Sequence, residues 1–149
     1  MGYPMNRSFA YQETSITTAS PEKLIIMLYE GAIRFLRQSA NDIKTKNLVR
    51  KSQSIDRAVA VIQHLQSTLD MDGGKDIARE LDRLYGYILS RVLQGSAKLD
   101  AATIEEATKL LSVLLSGWEQ IARNREETRQ VPSALLAEYA GTQRIELHA

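Results

Sequence analysis

An all-α, antiparallel up-down four-helix bundle is the fold class this sequence predicts, and three observations predict it. The only prolines are Pro4, Pro21 and Pro132, so the stretch between the last two holds no strong helix breaker. Within that stretch, apolar residues recur at spacings of three and four, the signature of one-faced helices. Turn and capping signals then cut it into four segments of helical length with short links, which pack most simply as antiparallel neighbours.

The first helix begins at Ser20, whose hydroxyl suits an N-cap. Pro21 follows at the first helical position, where its missing N–H costs nothing, and Glu22 complements the positive end of the helix dipole. It fades near Lys44 to Asn47. A second helix from about Leu48 carries Ile55, Ala58, Val59, Ile62, Leu65 and Leu69 on one face. It ends at "DMDGG", Asp70 to Gly74, whose paired glycines suit a tight reversal. The third helix, from about Asp76, directs Ile77, Leu81, Leu84, Tyr85, Ile88 and Val92 inward and weakens around Gly95 and Ser96. Thr103 and Glu106 in "TIEE" have capping-box spacing, opening a fourth helix through Ile104, Leu111, Leu114, Trp118, Ile121 and Ala122.

The bundle is thus expected over residues 20–122. Residues 1–19 lack a sustained period and read as a flexible leader. Residues 123–149 read as a polar tail with a short helix at 133–140, "SALLAEYA".

Composition excludes several functions. In 149 residues, 19 Lys and Arg face 18 Asp and Glu, spread along the chain, so no electrostatic footprint for nucleic acid or an anionic bilayer is visible. The absence of cysteine removes disulfides, thiolate nucleophiles and Cys-based zinc sites, and fits a reducing cytosol. The longest strictly apolar run, Leu24 to Tyr29, is far shorter than the ~20 residues that span a bilayer, and no charged-then-apolar leader precedes it. A soluble, unexported chain is expected, with no membrane insertion.

The first helix poses the functional question. On a wheel of about 100° per residue, Leu24, Leu28, Gly31 and Phe35 define a core-facing side. Ile25, Ala32, Leu36 and Tyr29 widen it, and Ile26 and Ile33 carry it further, leaving only about a third of the circumference polar. The fourth helix is broad too, because Leu110, Val113 and Gly117 extend its inward stripe. Each large aliphatic side chain gains roughly 1.5–3 kcal/mol on burial, so this surplus calls for a cover. Either the chain's own appendages supply it, through Phe9, Tyr11 or Leu135, Leu136 and Tyr139, or a partner helix or peptide does.

Three segments carry a family resemblance. "TASPEKLIIMLYEGAIRFL" (Thr18 to Leu36), "LQSTLDMDGGKDIARELDRLYGYILSRVL" (Leu65 to Leu93) and "LLSVLLSGWEQ" (Leu110 to Gln120) resemble, in order and spacing, the flagellar export chaperone family FliS. The likeness covers about Tyr11 to Ile121. It departs at Glu30, where the family commonly has Asp, at "QGSAKLD" (Gln94 to Asp100), and in a longer tail. The resemblance implies a helical bundle of the bacterial cytosol that captures the disordered C-terminal segment of flagellin. Capture prevents premature polymerisation, and the subunit is handed to components of the flagellar export gate.

On the wheel, the surplus candidates for a flagellin-binding groove are Ile25, Tyr29 and Ile33 on the first helix, Tyr87 and Leu93 on the third, and Leu110, Val113 and Gly117 on the fourth. Tyr85 and Trp118 are assigned to the core. Phe9, Tyr11 and Ile16 of the leader are expected to fold back as a lid over the groove. The alternative is a structural helical adaptor that self-associates through the same stripe, and a monomer or weak dimer suits either reading.

Catalysis is not expected. Neither His64 nor His148 belongs to a nucleophile motif. Val61 stands where a di-iron Glu-x-x-His helix would need Glu. "DMDGG" resembles a calcium loop only faintly, since Gly73 is misplaced and Leu81 occupies the last ligand position. No metal site and no cofactor are expected.

Overall fold

The computed structural model describes residues 20–130, with side chains to residue 126. Four helices account for it: α1 (Pro21–Lys44), α2 (Leu48–Ser67), α3 (Lys75–Lys98) and α4 (Ala101–Gln130). α1 packs most extensively against α2 and α4, while α3 closes the ring between α2 and α4. The architecture is the expected antiparallel bundle. The leader with its lid residues Phe9, Tyr11 and Ile16, and the helix expected at 133–140, lie outside the described residues.

Ser20 caps α1 as expected, its Oγ accepting the Lys23 N–H at 3.3 Å. Asn47 does the same for α2, with Oδ1 accepting from the Arg50 N–H at 3.3 Å. The α2–α3 reversal uses its glycines for space: a Cβ on Gly74 would stand 2.6 Å from the Asp70 carbonyl oxygen and 2.7 Å from Ala78 Cβ. The left-handed residue there is Lys75, at φ 48°.

Three expectations of the sequence are corrected. α3 continues through Gly95 and Ser96 to Lys98, and Gly95 leaves room for α4, since a Cβ there would lie 2.8 Å from Ile104 Cγ1. The cap of α4 is Asp100 rather than Thr103. The Asp100 carboxylate accepts the N–H of Ala102 at 3.1 Å and the Thr103 hydroxyl at 2.8 Å, because Thr103 is buried against the core and Glu106 is engaged elsewhere. Finally, α4 runs to Gln130 rather than ending near Ala122. Arg125 on this extension pairs with Glu22, a nearly buried carboxylate in the first turn of α1.

The core is built on Tyr29, Ala32, Leu36, Ile62, Leu65, Tyr85, Ile88, Val92, Ile104 and Leu111, all essentially inaccessible. α1 is therefore rotated relative to the wheel reading: Leu24, Leu28 and Phe35 are only half-buried, and the centre of its inward face is Tyr29, Ala32, Ile33 and Leu36. The cause is its pair of neighbours. With α2 on one flank and α4 on the other, the inward arc bisects both contacts rather than following the densest apolar run. At the α1–α2 corner, fully buried Asp42 accepts from Gln38 Nε2 at 2.9 Å and Arg50 Nε at 2.8 Å through Oδ1. Its Oδ2 is buried without a hydrogen-bond partner among the described residues.

Candidate functional site

Among the described residues, exposed large apolar side chains lie along α3 and the outer side of α4, and also at Leu48, Val49, Met71 and Leu99 near helix ends and turns. On α3, Ile77 is 75% exposed, and Leu84, Tyr87 and Leu93 are also exposed. On α4, Val113 is 65% exposed and Ile121 is exposed, with Leu110 and Leu114 half-buried beside them. Side-chain bonds fix which edge each occupies. The Tyr87 hydroxyl donates to Glu106 Oε1 at 3.1 Å and Arg91 Nη2 donates to Glu106 Oε2 at 2.7 Å, so this flank of α3 faces α4. Leu84 is nearly one turn before Tyr87 and Ile77 two turns before Leu84, so both share that flank. Leu110, Leu114, Gly117 and Ile121 succeed one another along the facing flank of α4. Together they form an apolar seam.

At the end of the bundle where α2 turns into α3, the seam opens into a cleft of about 200 Å³. Ile25, Leu65, Leu69, Ile77, Leu81 and Trp118 form its apolar walls, and Tyr85 lies at its base. Ile77 belongs to both surfaces and makes them continuous. α1 starts at this end, and Ile25 stands just over a turn from Ser20.

Of the candidates read from the sequence, the structure brings Tyr87, Leu110, Val113 and Gly117 together on the seam and places Ile25 in the adjoining cleft. Tyr29 and Ile33 are corrected: at 0% and 5% exposure they are core residues. The physical reason is the rotation of α1, which turns the flank beyond Ala32 inward. Leu93 is exposed on the other flank of α3, the side on which Asp82 accepts from Gln66 of α2 at 2.9 Å. Trp118 is half-buried against the core and walls the cleft, and Tyr85 is buried as assigned. Ile77, Leu84 and Ile121, assigned inward from their spacing, are the seam residues missed. Each lies at the margin of its helix's apolar arc, and that marginal position is the signal that could have found them.

The polar groups around the seam are neutralised locally. Hydrogen bonds from Arg91 and then Tyr87 hold the Glu106 carboxyl below the usual carboxylate range. Asp100 is lowered by the Thr103 hydroxyl and N–H. At the base of the cleft, Tyr29 and Tyr85 share a hydrogen bond of 2.5 Å between their hydroxyls. Burial pushes both phenols up; for Tyr29 the Tyr85 hydroxyl and the Trp118 indole pull partly back. Gly117 is a different kind of feature. It is exposed in the interior of α4, where glycine costs about 0.5–1 kcal/mol relative to alanine. No heavy atom of the described residues outside its immediate helical neighbourhood lies within 4 Å of where its Cβ would be.

A second depression runs between α1 and α4. Its larger part, about 640 Å³, is lined by Glu30, Arg34, Arg37, Gln38 and Asn41, with Ile33 and Leu115 at its floor. Its rim carries charged and amide side chains. Among the described residues no group of acidic or histidine side chains is arranged to hold a metal ion. No helix among them is long and apolar enough to cross a membrane.

A four-helix bundle with an open apolar seam among its described residues has the form of a helical binding protein. The chain belongs to the FliS family, whose model, described as flagellar protein FliS, matches residues 4–125. It is 35% identical over 111 residues to the flagellar secretion chaperone FliS of Salmonella typhimurium, covering 74% of this chain and 82% of that protein. It is 31% identical over 124 residues to the flagellar secretion chaperone FliSB of Pseudomonas aeruginosa, covering 80% and 98%. The flagellar secretion chaperone FliS of Bacillus subtilis is 28% identical over 120 residues, covering 80% and 89%.

Proposed function

We propose that this protein is a cytosolic export chaperone that captures the disordered C-terminal segment of flagellin along the α3–α4 seam and the adjoining cleft. Capture keeps flagellin from polymerising prematurely, and the complex then delivers it to the flagellar export gate. The observation that carries this reading is the continuity of the apolar surface from Ile25 and Trp118 in the cleft, through Ile77, to Leu110 and Val113. A ligand that is disordered when free loses conformational entropy on binding, so it needs a long apolar contact rather than a few strong ones. Membership of a family whose relatives are named flagellar secretion chaperones supports a flagellar cargo. The leader, which joins α1 at Ser20 beside the cleft, acts in this reading as a displaceable lid through Phe9, Tyr11 and Ile16.

Calorimetric titration with a C-terminal flagellin peptide from the same organism tests the proposal. Expected are saturable binding, a negative heat-capacity change and weak dependence on salt, because the seam is apolar and its charges are paired. The seam also suits self-association. If the peptide gives no heat and the protein forms stable dimers in sedimentation, a self-associating structural adaptor replaces the chaperone reading.

A further inference from the structure

We infer that Gly117 is the point of closest approach for the bound cargo: a helix of the cargo crosses α4 there and seats one large apolar side chain in the notch between Val113 and Ile121. The inference rests on the chaperone reading and names the residue on which its specificity turns.

Three observations meet at this position. On α4 the half-buried Leu110 and the exposed Val113 and Ile121 succeed one another along the helix, and Gly117 interrupts them. One turn to either side are the exposed side chains of Val113 and Ile121, about 12 Å apart along the axis, which leaves a gap one side chain wide. The described bundle gives no reason for glycine, since none of its heavy atoms beyond the local helix lies within 4 Å of where a Cβ would be. A residue that weakens its own helix without easing any internal contact fits a surface approached from outside.

Gly86 on α3 supplies the comparison. It too is exposed in mid-helix, with no heavy atom of the described residues beyond its local helix within 4 Å of where its Cβ would be. Along its row the neighbours one turn away are Asp82 and Ser90, Arg83 and Leu89 lie beside it, and it lies on the α2 side, so its rim is mixed. Gly117 alone of the two combines a missing side chain with an apolar rim. A helical ligand follows from the seam's shape, because two packed helices leave a shallow trough that takes a third helix by ridges and grooves.

Full-length wild type, Gly117→Ala, Gly117→Leu and Gly86→Ala are compared by thermal unfolding and by titration with the flagellin C-terminal peptide. Both alanine variants are expected to melt about 3–6 °C higher, as an exposed helical glycine predicts. Binding should weaken about tenfold in Gly117→Ala, be lost in Gly117→Leu and be unchanged in Gly86→Ala. Wild-type affinity in both Gly117 variants overturns the inference and leaves the chaperone reading intact. Failure of wild type to bind the peptide overturns both. A change confined to the dimer fraction of Gly117→Leu overturns the inference by making the notch a contact between copies of this chain.

Discussion

The hydroxyl oxygens of Tyr29 and Tyr85 lie 2.5 Å apart across the diagonal of the bundle, joining α1 to α3, two helices that are not neighbours in the ring. Their rings are tilted at 48° with centroids 6.3 Å apart, so the hydroxyls rather than the ring faces make the contact. In an apolar interior each hydroxyl satisfies the other, and loss of one removes the second's bond across the bundle.

Replacing either tyrosine by phenylalanine is expected to destabilise the protein by about 1–3 kcal/mol, the cost of a buried polar group left unpaired. The double replacement is expected to cost little more than one single, because no stranded hydroxyl remains. Denaturant unfolding in a double-mutant cycle measures this, and additive single effects would exclude the coupling.

The same pair sets an alkaline limit. Both phenols have folded-state values raised by burial, so their contribution to stability is present below the ordinary tyrosine value of about 10 and declines as pH rises above it. Melting temperatures between about pH 8 and 11 should therefore fall more steeply in wild type than in the double phenylalanine variant.

At the acid end the sign reverses. Asp42 is pushed up by burial, but the Arg50 guanidinium and the Gln38 amide outweigh that and hold it below the usual range, as Thr103 holds Asp100 and Arg91 holds Glu106. Groups lowered in the folded state stabilise it above their unfolded values, near 4 for these carboxyls, and lose that contribution as pH falls through their folded values. Melting is expected to decline below about pH 4, with a shallower slope in Asp42→Asn. An unchanged slope would mean that the corner carboxylate does not take part.

The fold was legible because each of its determinants is local. Ser20, Pro21 and the spacing of Ile55, Ile62 and Leu65 act within a turn or two of their own positions. The seam was only half legible. Tyr87, Val113 and Gly117 could be picked out as surplus, but how far α1 turns about its axis depends on where α2 and α4 dock, which no single-helix wheel contains. Tyr29 and Ile33 were therefore misplaced outward, and Ile77, Leu84 and Ile121 misplaced inward. Asp100 was passed over for Thr103 because a capping box is recognised by spacing, whereas the acceptor used is the residue just before the helix.

The turn of α1 has a direct test at Ile33. From the wheel alone, Ile33→Glu should harm binding more than folding. With Ile33 at 5% exposure the order reverses. A carboxylate forced into that position is expected to cost more than about 3 kcal/mol. Phe35→Ala, at a half-buried ring flanked by Arg34 and Arg57, should cost about 2 kcal/mol, below the range for a fully buried phenylalanine. Circular dichroism melts of the two variants decide it, and a folded, stable Ile33→Glu protein would contradict the packing of α1.

The seam itself is tested where exposure is greatest and structural cost least. Val113 has 65% of its surface in solvent, so Val113→Asp should change stability by no more than about 0.5 kcal/mol. In the complex that side chain is covered, and a carboxylate there is left without a partner at an apolar contact. The resulting loss of at least about 2.8 kcal/mol corresponds to roughly a hundredfold rise in Kd. Leu93→Asp, at a similarly exposed position on the opposite flank of α3, supplies the control, and its affinity for the flagellin peptide should stay within about twofold of wild type. Titration of both variants separates the two edges of α3: if Leu93→Asp abolishes binding while Val113→Asp leaves it intact, the ligand lies on the α2 side and the α3–α4 seam is not the site.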